Sequence, residues 1–299
     1  MSDESEDEHG NNGDSSDSEG GGLFGNMMKG MFQESAEDQN KVFECSYDVP
    51  FALRGGRDGG KSDGAGAGNK LTIRLHGIHE SYGQTSLKTG YTLWGAAHRL
   101  ADAMTATAEN GGVYDKYFSA GGTGTVSVIE LGAGLGLCGI LASYMPGAKV
   151  VITDGDTKVL EKTQANIDVS FAAGPGAGAA EGARTVVAKK LRWGIEHVEA
   201  FLESDGELEG LTNAGGRFDV VMGSDIIYDE KVVPDLFDTV ARLMDAKRGI
   251  FLLGYERRNV PMDYVMEVAQ ERGIELKETL VPGHLFAFGA AAAGGAKRQ

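Results

Sequence analysis

The chain reads as an α/β protein, a mostly parallel seven-stranded sheet with helices on both faces and an antiparallel hairpin at its C-terminal end. Three observations predict it. From Thr125 onward, short Val- and Ile-rich runs alternate with amphipathic runs at helical spacing, which calls for parallel strands joined by right-handed crossovers. In the first unit, VSVIEL passes through a turn holding Gly132, Gly134 and Gly136 into a helical pattern of Leu137, Ile140, Leu141 and Tyr144. The last two runs, ELKETLV and HLFAFGA, are separated by little more than Pro282-Gly283, so they must pair directly as a hairpin.

Composition bounds the remaining possibilities. With 299 residues and 41% hydrophobic side chains there is enough apolar material for one large domain with appendages. Mean hydropathy is -0.22, and no apolar run approaches the roughly 20 residues that span a bilayer. The acidic MSDESEDEHG start is unlike a signal or transit peptide. Cys45 and Cys138 are the only cysteines, which points to a reducing compartment, by default the cytosol, with the nucleus as the alternative. The formal net charge of -16 argues against nucleic-acid binding and favours basic partners.

Taken in order, residues 1–40 carry eleven acids against the single Lys29 and are expected to be a disordered tail, interrupted by the apolar island Leu23 to Phe32. A β extension at 41–89 follows, with strands in KVFECSYDVPFAL and LTIRLHGI and a glycine-rich loop between them. TGYTLW then leads into a helix through AAHRLADAMTATAEN, ended by Gly111 and Gly112. Strands follow in VSVIEL, KVVIT, TVVAKKLRW, FDVVMGSDIIY and GIFLLGY, with helices in GLCGILASYM, TKVLEKTQANIDVS, KVVPDLFDTVARLMD and PMDYVMEVAQERG. The sheet domain is expected over 90–290, with a disordered end at 291–299. A monomer is expected, because no heptad or apolar stripe is evident outside Leu23 to Phe32.

The glycine turn admits two cofactors. Gly134 to Gly139 matches G-x-G-x-x-G, with Asp154 placed after the next strand as a ribose ligand, which is the dinucleotide pattern. The strand register favours a different turn. The strand runs out at Leu131, so the loop begins at Gly132 with Glu130 just before it. S-adenosylmethionine carries no pyrophosphate and has an ammonium group, which an acid beside the first glycine suits. Glu130 has a second reading, as a cap on the loop's own backbone amides.

The ordered motifs TGYTLWGAA, VIELGAGLGLCGI, VITD, LRWG, GSDIIYDE and GYERR extend this reading. With them, residues 70–290 resemble the seven-strand protein-lysine methyltransferases of methyltransferase family 16. The resemblance implies a Rossmann-like class I methyltransferase sheet, S-adenosylmethionine as cofactor, and methyl transfer to a lysine of a protein substrate such as a chaperone or translation factor. It implies cofactor contacts at Trp94, Gly132, Ala133, Gly134, Asp154, Trp193 and Ser224. It also puts Asp225 and Tyr228, the family's D-x-x-Y, at the mouth of the methyl-transfer channel. Arg192 departs from the family, which often has an acid there.

Each of these residues has a plainer structural role open to it. Asp154 is also a turn former, the two tryptophans are ordinary packing residues, and Asp225 is a candidate helix cap. Tyr255, Arg257 and Arg258 follow the fifth strand of the sheet and are second-rank lining candidates. The six histidines lack metal-ligand spacing, so no metal is expected. Two other functions compete with lysine methylation: a small-molecule, nicotinamide-type N-methyltransferase, and a catalytically silent cofactor-binding module.

Overall fold

Period-two burial divides the apolar residues of the central strands between two cores. In β3 (Val126–Glu130) Val126 and Val128 point to one face of the sheet and Ile129 to the other, and in β7 (Ile250–Gly254) Ile250 and Leu252 oppose Phe251 and Leu253. A strand buried on both sides has to be apolar throughout. That explains the near-continuous runs of Val, Ile and Leu in the sequence.

The computed structural model describes residues 41–51, 69–78, 89–106, 112–119, 124–173, 185–204, 206, 208–256 and 258–292. The expected acidic tail with its Leu23 to Phe32 island, the connector after Phe51 and Arg257 lie outside them. The remaining strands are β1 (Lys41–Val49), β2 (Asn69–Gly77), β4 (Ala148–Asp154), β5 (Val186–Lys190), β6 (Val220–Ser224), β8 (Ile274–Val281) and β9 (Leu285–Ala290). The helices are α1 (Gly95–Thr105), α2 (Leu137–Ser143), α3 (Thr157–Ala173), α4 (Ile195–Leu202), α5 (Val233–Leu243) and α6 (Met262–Glu271). None of the described helices is long and apolar enough to cross a membrane.

The seven-stranded sheet has the order β5-β4-β3-β6-β7-β9-β8. β9 alone runs against its neighbours, antiparallel to both β7 and β8, as the short connection between the last two strands requires. Chain order reverses between β3 and β6, which pair directly in register from Val128 with Val220. That reversal opens a crevice at the carboxyl ends of these strands.

One face of the sheet carries α1, α2 and α3, and the other carries α4, α5 and α6. β1 and β2 form a separate antiparallel pair, Lys41 opposite Gly77 through Val49 opposite Asn69. This pair is tied to the main domain by Asn166 of α3, which is fully buried. Its Oδ1 accepts from His76 N at 2.7 Å, and its Nδ2 donates to His76 O at 3.3 Å and to Leu135 O at 3.0 Å. One amide thus joins the β extension, α3 and the glycine turn.

α4 falls where the sequence reading placed no element, and several element ends differ from that reading. α1 stops at Thr105, with Ala106 already extended although its N–H still donates to Asp102 O, and the Thr105 hydroxyl bonds to the carbonyls of Ala101 and Asp102. β5 stops at Lys190, so Trp193 lies in the turn that follows it. β6 stops at Ser224, and Asp225-Ile226-Ile227-Tyr228 forms a loop across the sheet end.

On the α5 face, Phe237 packs edge-on against Phe251 and Phe288, with centroids 5.8 Å away in both cases. All three rings are fully buried. Replacing Phe237 with Ala should cost about 3–5 kcal/mol, since neighbours anchored in strands cannot collapse into the space. Urea unfolding of the two proteins checks this, and a loss below about 1 kcal/mol would contradict the packing.

Candidate active site

The crevice at the strand ends is a cleft of about 1270 Å³. Its floor is the turn after β3. Gly132, Gly134 and Gly136 all have positive φ there, and Gly136 caps α2 from the left-handed region. At Gly132 (φ 58°) the requirement is also steric. A Cβ would come within 2.9 Å of Ile226 Cγ2 and 3.1 Å of Trp193 Cζ2, filling the space between the walls. The turn is pinned from behind by Ala133 N donating to Thr153 O at 2.9 Å and by the Thr163 hydroxyl, 2.7 Å from Gly134 O.

Asp154 ends β4 at the rim of this turn. Its Oδ2 accepts from Gly134 N at 3.2 Å and its Oδ1 from Asp156 N at 3.0 Å. Burial raises its carboxyl from the ordinary value, and the backbone amides pull the other way. Trp193, Lys190 and Arg192 come from the end of β5, and Ser224, Asp225, Ile226 and Tyr228 from the end of β6. Thr92 and Trp94 close the opposite wall, with Trp94 Nε1 donating to Thr89 O at 2.9 Å.

The structure therefore gathers Trp94, Gly132, Ala133, Gly134, Asp154, Trp193, Ser224, Asp225 and Tyr228 around one space. Glu130 is the correction. It does not line the cleft: it is 1% exposed, and its Oε2 accepts from Gly139 N at 2.8 Å on the far side of the turn. Burial pushes its carboxyl up to about 8, opposed by the Gly139 amide and reinforced by Asp154. A largely protonated, inward-facing acid supplies no fixed negative charge to a ligand. Of the two readings of Glu130, capping of the backbone is the one the geometry shows.

Two residues gain weight from the structure. Thr92 is 3% exposed and lines the cleft, and its hydroxyl has no hydrogen-bond partner among the described residues. An orphaned hydroxyl at a cleft wall is a candidate ligand contact. Nothing in sequence marked it except its place in TGYTLW, two residues before Trp94. Arg258, a second-rank candidate, lies at the mouth. Its Nε and Nη2 donate to Oδ1 and Oδ2 of Asp225 at 2.8 and 2.5 Å, and its guanidinium carbon sits 5.0 Å from the Trp94 ring centroid. The Asp225 hydrogen bonds raise the Arg258 pKa further, so the guanidinium stays charged. Tyr255 is buried instead, and its hydroxyl donates to Val260 O. No cluster of metal-binding side chains occurs among the described residues.

Comparison with known proteins identifies the class. The family described as lysine methyltransferase matches residues 77–271. The chain belongs to that lysine methyltransferase family. It is 29% identical over 197 residues to protein-lysine N-methyltransferase EFM3 of Chaetomium thermophilum, covering 65% of this chain and 51% of that protein. It is 34% identical over 134 residues to protein N-lysine methyltransferase METTL21A of Mus musculus, covering 44% and 51%. With EEF1A lysine methyltransferase 3 of Mus musculus it shares 33% identity over 154 residues, covering 48% and 55%. The chain thus spans about half the length of the curated relatives it matches.

The buried carboxyl of Glu130 makes stability pH-dependent. Its folded pKa lies above the ordinary value of 4.5, so its contribution is complete below about pH 4.5 and is lost as pH rises through about 8. Glu130→Gln keeps an oxygen for Gly139 N and removes the ionisation. Unfolding of the two proteins should therefore diverge with pH, the variant becoming the more stable by on the order of 3–5 kcal/mol at pH 9 relative to pH 5. Parallel stability curves across that range would show that Glu130 is not buried as described.

Proposed function

We propose that the protein is an S-adenosylmethionine-dependent protein-lysine N-methyltransferase. The observation that carries the reading is Asp225. It is an acid held at positive φ (55°) on the end of β6, at the mouth of a cleft floored by side-chain-free backbone. Membership of the lysine methyltransferase family supports the same reaction.

The cleft fits this cofactor on two features of its own. The orphaned Thr92 hydroxyl needs a polar partner, and the space over Gly132 would be filled by any Cβ. Bound there, S-adenosylmethionine would supply an electrophilic methyl on a sulfonium. The chain's residues do the remaining work. Asp154 would accept hydrogen bonds from the ribose hydroxyls, Trp193 and Ile226 would wall the adenosine, and Trp94 with Thr92 would border the opposite side. Asp225 orients the incoming amine, and Tyr228, 59% exposed at the rim, flanks the substrate's alkyl chain.

A lysine must arrive as a neutral amine, although its ordinary pKa is near ~10.4. Positioning and exclusion of water account for most of the rate such a site provides. The net charge of -16 favours a basic protein surface as substrate. The named relatives, which include a calmodulin-lysine N-methyltransferase of Arabidopsis thaliana, support a protein rather than a small-molecule acceptor. Both cysteines are free and buried, which supports a reducing compartment such as the cytosol.

Asp225→Ala should lower transfer of labelled methyl from S-adenosylmethionine to lysate proteins by about 100-fold, because the amine loses its aligned acceptor. Binding of S-adenosylhomocysteine, followed calorimetrically, should stay within about threefold of wild type. Asp154→Asn should show the opposite pattern, with binding weakened by about tenfold or more through loss of a charge-assisted bond to the ribose. An Asp225 variant that transfers methyl at the wild-type rate would refute the assignment.

A further inference from the structure

The Arg258 guanidinium at the cleft mouth is gripped from two directions. Its fork donates both bonds to the Asp225 carboxylate, and its guanidinium carbon lies over the Trp94 ring. The Asp225 side chain is itself only 3% exposed, and its backbone N–H donates to Gly254 O at 2.8 Å. A carboxylate fixed by its backbone below and by a fork above has a single orientation. The pair also has no net charge.

That neutrality bears on the acceptor. A bare, desolvated carboxylate beside a lysine stabilises the ammonium, the form that has no lone pair to donate. A permanent positive charge on the same carboxylate opposes this, while two of its roughly four lone-pair sites remain free. On the reading of the site as a lysine methyltransferase, we propose that Arg258 is a positioning residue that clamps and neutralises Asp225, so that Asp225 orients a neutral amine without raising that amine's affinity for protons. The lysine ammonium releases a proton to solvent. Its freed lone pair then forms the N–C bond as the C–S bond breaks, the bonding pair stays on sulfur, and the positive charge passes from sulfur to nitrogen.

The other charged groups about the mouth come from separate elements. Arg99 of α1 pairs with Glu256 after β7, Asp229 and Glu230 follow Tyr228, and Asp154, Asp156, Lys158, Lys190 and Arg192 line the cleft from β4, α3 and the end of β5. All of them persist when Arg258 is replaced, so a change on replacement reports on the clamp.

The test uses the full chain with tritiated S-adenosylmethionine and a cofactor-stripped cell lysate as acceptor, following one labelled band from pH 7 to 10. In wild type the rate should rise as the target lysine deprotonates. Arg258→Gln should move that rise upward by about one pH unit, the low end of the effect of one charge at this range. It should lower kcat at pH 7.5 about tenfold, restore it at the alkaline end, and leave KM equal or lower. Arg258→Lys keeps the charge and should keep the wild-type midpoint. An equal loss at every pH would mean that Arg258 is only structural, and a gain at every pH that it merely blocks the mouth; either overturns the proposal, as does an unshifted profile at full rate. A wild type that binds S-adenosylhomocysteine but labels no protein would instead overturn the lysine methyltransferase reading, and this proposal with it.

Discussion

The arrangement of the cleft depends on how closely α2 can approach the sheet. Gly139, on the first turns of that helix, leaves room that a Cβ would fill at 2.5 Å from Ile152 and 2.6 Å from Glu130 Oε2. Through that gap the Glu130 carboxyl accepts the Gly139 amide and holds the helix N-terminus against β3. The intervening turn then has to be short and left-handed, which is why it is built of glycines and presents bare backbone to the cleft. Asn166 and Thr163 of α3 fix the same turn from behind, so β2, α2 and α3 share one set of polar anchors.

Buried polar groups in this region are arranged by their partners. Glu130 and Asp154 both end parallel strands, but they face opposite sides of the turn. Glu130 is sealed in and largely neutral, whereas Asp154 reaches the cleft through a frame of backbone amides. Asp225 is a third case, an acid matched by an arginine on the neighbouring strand's loop. Desolvation keeps the first largely neutral, backbone amides frame the second and an arginine pairs with the third, so each carboxylate has different surroundings and a different task.

Much of this was legible from sequence because it rests on local chemistry. Glycines at 132, 134 and 136 mark a turn, the apolar alternation in VSVIEL and GIFLLGY marks buried strands, and Pro282-Gly283 leaves no length for a crossover helix. The motif order identified the class and put Asp154, Trp193 and Asp225 on strand ends that converge. Glu130 was ambiguous for a physical reason. Its position beside the loop is a sequence property, but the face it takes follows from the pleat of β3, where it joins Val126 and Val128 on the α2 side. Thr92 and Arg258 were weak signals because a threonine and an arginine are unremarkable until burial and partners are known.

By itself, then, the sequence determined the order of the sheet strands and of the helices other than α4 (Ile195–Leu202), the position of the glycine turn and the acids that end the strands, all of which follow from periodicity and backbone sterics. Tertiary structure alone decided which groups face one another. The Arg258–Asp225 pair joins residues 33 positions apart, and it exists because β6 and β7 lie side by side in the sheet. Side-chain pairing across neighbouring strands depends on register and twist, and neither is written in either strand's own residues.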